Sequence, residues 1–530
     1  MKIESFFQLF LKKRWRKGAK LQDYQGFVFT DLNSAVWSRT LGAYRFANEL
    51  KTRGLICKVV DCITDFDDDE ILKLVHTIIN KNTLFIAFST TFLLDNESLL
   101  QPFLKLRKNN FSNLRKIVQL SRQINPAIKV IFGGANSTNY NYLNPDIIVE
   151  GYCENSMTEI ISKIYEIETT PKLVKKIRSE NLTFDLENIS TTYADNDFMF
   201  NGETLVLETS RGCRFKCKFC NFPLNGRKPN TYLKTQASLK AELIYNYEKF
   251  NITNYFLSDD TFNESIEKIK YIKKVTDDLP FKISFFAYLR IDLIAKYPEM
   301  VILLAQMGLK SAFFGIESLN DKTAKSIGKG LGEKTTIQTL KNIKNIWGPD
   351  IHTTASFIIG LPHESNATLN SWLPQLIDPQ FPIDYVAMFP LTISFGTFQS
   401  WDSEIAKNTL TFGYRVEKTP MGEYWENNFL NSDKSLEIVK KFYLEYLEKN
   451  PFKTINSSTY LTLLGYGVTK AEIEKFKQGG NLNFVHETSI KIQNRIADYK
   501  NLCLRQPSAA TCVDQILNTS NSAGIRSNQK

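Results

Sequence analysis

Histidine is scarce in this chain, four residues in 530, and no run of about 18 apolar residues is present that could cross a membrane as a helix. The first scarcity removes histidine-rich metal sites from consideration, and the second removes helical integral membrane proteins. The order expected of a secretory signal is also lacking, because the apolar run from Ser5 to Leu11 precedes the basic stretch Lys12-Lys13-Arg14-Trp15-Arg16-Lys17 instead of following it. A cytoplasmic protein is therefore expected. In that setting eight cysteines argue against a disulfide framework and for metal or redox chemistry.

The formal charge is +10, yet residues 1–20 hold seven basic side chains against Glu4 alone, so most of the excess is local. A basic leader over 1–24, with Phe6, Phe7, Phe10 and Trp15 beside its Lys/Arg run, reads as a solvated helix or as a weak contact for an anionic surface. At this length more than one hydrophobic core is expected. Over 25–163 short apolar strands at 27–30, 57–61, 83–89, 129–132 and 146–149 alternate with helical periodicity, which predicts an α/β, doubly wound parallel sheet. Ligands of such sheets bind beyond the carboxyl ends of the strands, here Thr30, Asp31 and Asn33, Ser89 and Thr90, Gly133 and Gly134, and Gly151. Residues 164–202 have little period and read as a connector. A second series of six strand-helix units over 203–396 predicts a partial or complete parallel barrel, with its chemistry at the strand ends. A separate, mostly helical C-terminal module is expected over 397–518, and a disordered polar tail over 519–530.

Directly after the first strand of the second series stands Cys213-Arg-Phe-Lys-Cys217-Lys-Phe-Cys220. Thiolates are soft ligands suited to zinc or iron-sulfur clusters. A structural zinc site needs a fourth protein ligand, and none lies nearby in sequence, whereas three thiolates on a four-iron cluster leave one iron open to a substrate. Arg211, Arg214, Lys216 and Lys218 are expected to offset the negative charge of thiolates and cluster.

The triplet has the CxxxCxxC spacing of the radical S-adenosylmethionine (SAM) superfamily, and Phe219 is the aromatic residue that this family tends to place before the last cysteine. The chain thus resembles that superfamily over about Thr204 to Gly396. What the resemblance implies is a 4Fe-4S cluster on Cys213, Cys217 and Cys220 and reductive cleavage of SAM, releasing a 5'-deoxyadenosyl radical that abstracts hydrogen from a substrate. It further implies SAM contacts from Asp259 or Asp260 to the methionine amine, from Arg290 to the carboxylate, and from Glu317 and the Gly360-Leu361-Pro362 segment along the rest of the cofactor. An electron donor such as flavodoxin or ferredoxin is implied as a partner.

A doubly wound domain ahead of such a barrel resembles the cobalamin-binding subgroup, with Thr30, Asp31, Asn33, Ser89, Thr90, Gly133, Gly134 and Gly151 as the cobalamin contacts. One departure is that Thr30 to Trp37 contains no histidine to ligate the lower face. Bound cobalamin and a purely scaffolding sheet both remain open. The leading expectation is cobalamin-dependent methyl transfer to an unactivated carbon of an unidentified substrate. The alternatives are a cobalamin-free radical SAM oxidoreductase, cyclase or mutase, and a metal-stabilised protein that binds nucleic acid or a membrane surface.

Overall fold

The computed structural model describes residues 24–32, 38–93, 110–166, 174–178, 186–187, 189–222, 233–393, 395, 402–419, 422–481 and 483–504. The basic leader, the polar tail and Asn33 lie outside the described residues.

Strands buried on both faces of a parallel sheet are continuously apolar. That is the pattern of β1 (Gly26–Phe29), β2 (Cys57–Val60), β3 (Phe85–Ser89), β4 (Lys129–Gly133) and β5 (Ile147–Glu150), which pair in parallel in the order β2-β1-β3-β4-β5. The sheet has a sixth strand, β6 (Lys175–Arg178), inside the stretch that sequence reads as a connector. Its run Lys-Lys-Ile-Arg buries only Ile177, so no hydrophobic period betrays it; pairing with β5 and the 2.7 Å Arg178–Glu150 ion pair hold it on the edge.

The second sheet contains β7 (Thr204–Leu207), β8 (Asn254–Leu257), β9 (Ser284–Leu289), β10 (Leu309–Glu317), β11 (His352–Ile359) and β12 (Tyr385–Pro390), all parallel and in sequential order. No ladder joins β12 back to β7 among the described residues, so the barrel is open on one side. Val206, Phe256 and Phe286 form an apolar group inside it. Against that group packs Leu41, at the start of helix α1 (Leu41–Thr52) from the first domain.

The C-terminal region is helical, as expected, but it is not separate from the rest. Helix α2 (Ser457–Gly465) is buried on nearly every side, so it carries none of the one-sided periodicity by which sequence places a helix. It lies under the amino ends of the barrel strands: the Ser457 hydroxyl donates to the Ala312 carbonyl at 2.7 Å, and Leu461 joins the apolar group within. A Cβ on Gly465 would come 2.4 Å from Thr204 Oγ1, so glycine is what permits this close approach. Helix α3 (Phe484–Leu504) covers the first domain, where Tyr499 accepts the Asp61 amide at 2.7 Å. An antiparallel hairpin, β13 (Arg415–Thr419) and β14 (Gly422–Glu426), is the unexpected non-helical part.

A buried arginine fastens these parts together. Arg39 donates to Asp61 at 2.8 Å, to Glu203 at 2.6 Å and to the carbonyls of Asp197 and Phe198, so every nitrogen of its guanidinium has a partner. No helix among the described residues is long and apolar enough to cross a membrane.

Candidate active site

The loop leaving β7 turns at Gly212, with φ 94°, and delivers Cys213, Cys217 and Cys220 to the carboxyl end of the barrel. Cys217 is buried and its two partners are half-buried. Burial pushes the Cys213 and Cys220 thiols up, Cys220 to about 12, so the thiolates need a cation beside them. Among the described residues no three His, Cys, Asp or Glu side chains converge on a single ion. Thiolates that serve different irons of a cluster need not converge in that way, and an all-sulfur trio on one loop fits iron-sulfur ligation.

Of the four cations expected around the loop, two face carboxylates and two are exposed. Arg211 is paired with Glu208 at 2.5 Å and Glu154 at 2.9 Å, Lys218 lies 3.9 Å from Glu404, and Arg214 and Lys216 are exposed. Among the described residues the guanidinium that meets a cysteine of the triplet is Arg290, whose Nη1 lies 3.1 Å from Cys217 Sγ and whose plane sits 4.1 Å over Phe215. Arg290 is also the residue expected to clamp the SAM carboxylate. Its Nε and Nη2 already grip Asp292 at 3.0 and 2.7 Å, which leaves that fork no free edge.

The two aspartates after β8 separate cleanly. Asp259, 0% exposed, accepts from the Thr209 amide and hydroxyl, the Ser210 hydroxyl and Lys268 Nζ at 2.5–2.8 Å. Its charge is thereby satisfied and held below the usual range, so it braces the cysteine loop and is unsuited to an incoming amine. Asp260 makes no ion pair among the described residues. Burial, with Asp259 and Glu208 nearby, pushes its carboxyl up to about 6, the state of an acid awaiting a cation.

At the end of β10 a register shift between Gly315 and Glu317 puts Glu317 at φ 73°, a left-handed conformation that costs a non-glycine residue about 1–3 kcal/mol. Ser356, donating at 3.0 Å, and Lys329, 3.7 Å away, hold its carboxylate there. Lys329 also stands 6.0 Å from the centre of the Phe219 ring, which links this strand end to the cysteine loop. Gly360, expected along SAM, has its own groups occupied: its amide donates to Glu364 at 2.8 Å and its carbonyl accepts from Tyr414 at 2.7 Å. Its φ of 104° and the Trp425 ring, 2.5 Å from where a Cβ would be, explain the glycine as a packing requirement. Buried Glu364, also bonded to Leu361 N and Ser318, has its carboxyl pushed up to about 8 by burial.

On the first sheet the expected ligand contacts are largely turned inward. Asp31 accepts from the Leu32 amide at 2.7 Å and from the Thr64 hydroxyl, and the Thr90 hydroxyl donates to the Gly133 carbonyl at 2.9 Å. A Cβ on Gly134, at φ 101°, would meet Thr91 N at 2.9 Å, so Gly134 admits that neighbouring backbone. Ser89, Gly133 and Gly151 remain half-buried at the strand ends. Beside Gly151, Tyr152 lies under Arg211, 4.4 Å from ring centre to guanidinium, so this edge of the first sheet touches the cysteine loop.

Residues 207–373 match the radical SAM superfamily. This segment is a radical SAM domain. The chain is 26% identical over 242 residues to a protein of Pyrococcus horikoshii named an uncharacterized methyltransferase, covering 46% of this chain and 50% of that one. Its fold is that of the radical SAM methyltransferase TsrM of Kitasatospora setae, solved with cobalamin and a [4Fe-4S] cluster; the TM-score is 0.59 at 13% identity, over 89% of this chain and 100% of that one. It is likewise similar to the cobalamin-dependent radical SAM enzyme OxsB, with a TM-score of 0.54 at 16% identity, over 96% of this chain and 82% of that one. Both likenesses extend beyond the radical SAM domain to the preceding sheet.

Sequence reasoning missed two features of this radical SAM domain. The Arg290–Cys217 contact had a signal, since Arg290 directly follows a barrel strand. The buried chain Arg45–Glu208–Arg211–Glu154, which joins α1 to the cysteine loop, had none, because its members are up to 166 positions apart.

Proposed function

We propose that this protein is a radical SAM methyltransferase that uses cobalamin and alkylates an unactivated carbon. The observation that carries the reading is three thiols and a half-buried carboxylate, Asp260, without an ion pair among the described residues, at the carboxyl end of one parallel barrel, joined through Arg211 to the carboxyl edge of a second parallel sheet. Cys213, Cys217 and Cys220 would hold the 4Fe-4S cluster, and SAM bound there would supply a one-electron route to carbon-hydrogen cleavage. Asp260 would receive the methionine ammonium, Glu317 and Phe219 would border the rest of SAM, and Arg290 would temper the charge on Cys217. Ser89, Gly133, Gly134 and Gly151 would border the corrin, with reducing equivalents arriving from a small electron carrier.

The inward hydrogen bonds of Asp31 and Thr90 favour a second reading, in which the first sheet is a scaffold and the enzyme is a radical SAM oxidoreductase, cyclase or mutase. Anaerobic reconstitution followed by corrinoid extraction and SAM product analysis separates the two. Methyl transfer with cobalamin gives S-adenosylhomocysteine beside 5'-deoxyadenosine, whereas 5'-deoxyadenosine alone, from corrinoid-free and fully active protein, would end the methylation claim.

A further inference from the structure

Arg45 is a buried cation with spare donors. It is 3% exposed and its Nη2 lies 3.2 Å from Glu208 Oε2, but its Nε and Nη1 have no hydrogen-bond partner among the described residues. Glu208 is already gripped by Arg211 through two bonds, so the Arg45 charge is only partly met. Buried donors left unmade are costly, and Arg39, just before α1, has every nitrogen satisfied.

The position of Arg45 gives those donors a purpose. Leu41, one helical turn earlier and on the same face of α1, packs against the apolar group inside the barrel. Glu208 lies two residues beyond Val206, a member of that group, and so on the same side of its strand. Tyr288 and Phe313 pack against this group from within the barrel. They meet edge-to-face at 5.3 Å, and both keep part of their surface accessible. The Tyr288 hydroxyl has no hydrogen-bond partner among the described residues. An aromatic floor with a forked cation at its edge is the arrangement that receives a flat body bearing an oxyanion.

We propose that Arg45 binds the carboxylate of the substrate, an aromatic or similarly flat acid whose body lies on Tyr288 and Phe313. This deepens the reading of the barrel as a radical SAM active site and rests on it.

The test uses calorimetric titration of the full-length, cluster-loaded protein with indole-3-propionate and with its primary amide, a pair of like shape and different charge. The acid is expected to bind the native protein roughly tenfold or more tightly than the amide, as a charged hydrogen bond implies. Arg45→Met should erase that preference while the protein still melts cooperatively and keeps its cluster absorbance, and Tyr288→Leu should weaken acid and amide alike. If Arg45→Met does not melt cooperatively, Arg45→Lys replaces it: it keeps the charge, loses the fork, and should lower acid affinity by roughly tenfold. Equal binding of acid and amide by the native protein, or an undiminished preference in the variant, overturns the proposal. So does loss of bound corrinoid from Arg45→Met with the preference intact, since the spare donors would then serve corrin amides. A protein that prefers the acid yet cannot cleave SAM would refute the enzymatic reading and leave this site standing.

Discussion

Replacing Asp260 by Asn should stabilise the ligand-free protein and weaken SAM binding, two effects of opposite sign from one side chain. Its carboxyl is pushed from 3.8 up to about 6 by burial and by Asp259 and Glu208. For an acid whose pKa is raised on folding, the folded state holds the proton longer, so stability falls as pH rises through about 4 to 6 and then levels off. The charged form therefore costs the ligand-free fold up to about 3 kcal/mol at pH 7.5 and roughly half of that at pH 5. Asp260→Asn removes this penalty, so its gain in denaturation midpoint should be largest at pH 7.5 and smaller at pH 5. The same change would delete the charge-assisted bond proposed for the methionine ammonium, worth about 1.5–3 kcal/mol, so SAM affinity at neutral pH should drop roughly tenfold to a hundredfold. Asp259→Asn is the contrasting control: it breaks a buried ion pair with Lys268 and should destabilise the fold by about 3–5 kcal/mol. Denaturation at two pH values and equilibrium dialysis with SAM read both effects. An Asp260→Asn protein that melts earlier than the native one, or binds SAM equally well, would refute the assignment.

Alanine at Cys213, Cys217 or Cys220 should abolish the visible absorbance of anaerobically reconstituted protein, checked by iron and sulfide content. Glu364→Gln keeps the acceptor for Gly360 N and Leu361 N without the ionisable proton. Because the Glu364 carboxyl is pushed up to about 8, native stability should decline between about pH 4.5 and 8 through this group, and the variant's pH–stability profile should be flatter over that window. Gly465→Ala brings a Cβ within 2.4 Å of Thr204 Oγ1 and 2.9 Å of its backbone nitrogen, and should cost about 1–3 kcal/mol in urea denaturation as α2 is forced away from the barrel.

The cysteine triplet was legible because its chemistry is local: three soft ligands within eight residues of one loop carry their meaning in spacing alone. The barrel strands were legible for a similar reason, since Leu205 to Leu207 and Phe357 to Ile359 are apolar runs of the kind a doubly covered strand needs. β6 was not, because one buried isoleucine among basic residues has no period, and its place comes from pairing with β5. Nor was α2, whose all-round burial beneath the barrel erases the one-sided pattern by which sequence announces a helix.

Residue type and local order thus determined the ligand loop, the two series of strands and the shortlist of polar side chains at their ends. Which member of the shortlist is available was decided by tertiary structure. Asp259 and Asp260 are adjacent and chemically identical, yet one is saturated by Thr209, Ser210 and Lys268 while the other has no ion pair among the described residues, and Arg290 is turned to Cys217 and Asp292. Hydrogen bonds and charge pairs depend on distance in space, and only the folded chain sets the distance between residues as remote in sequence as Arg45 and Glu208.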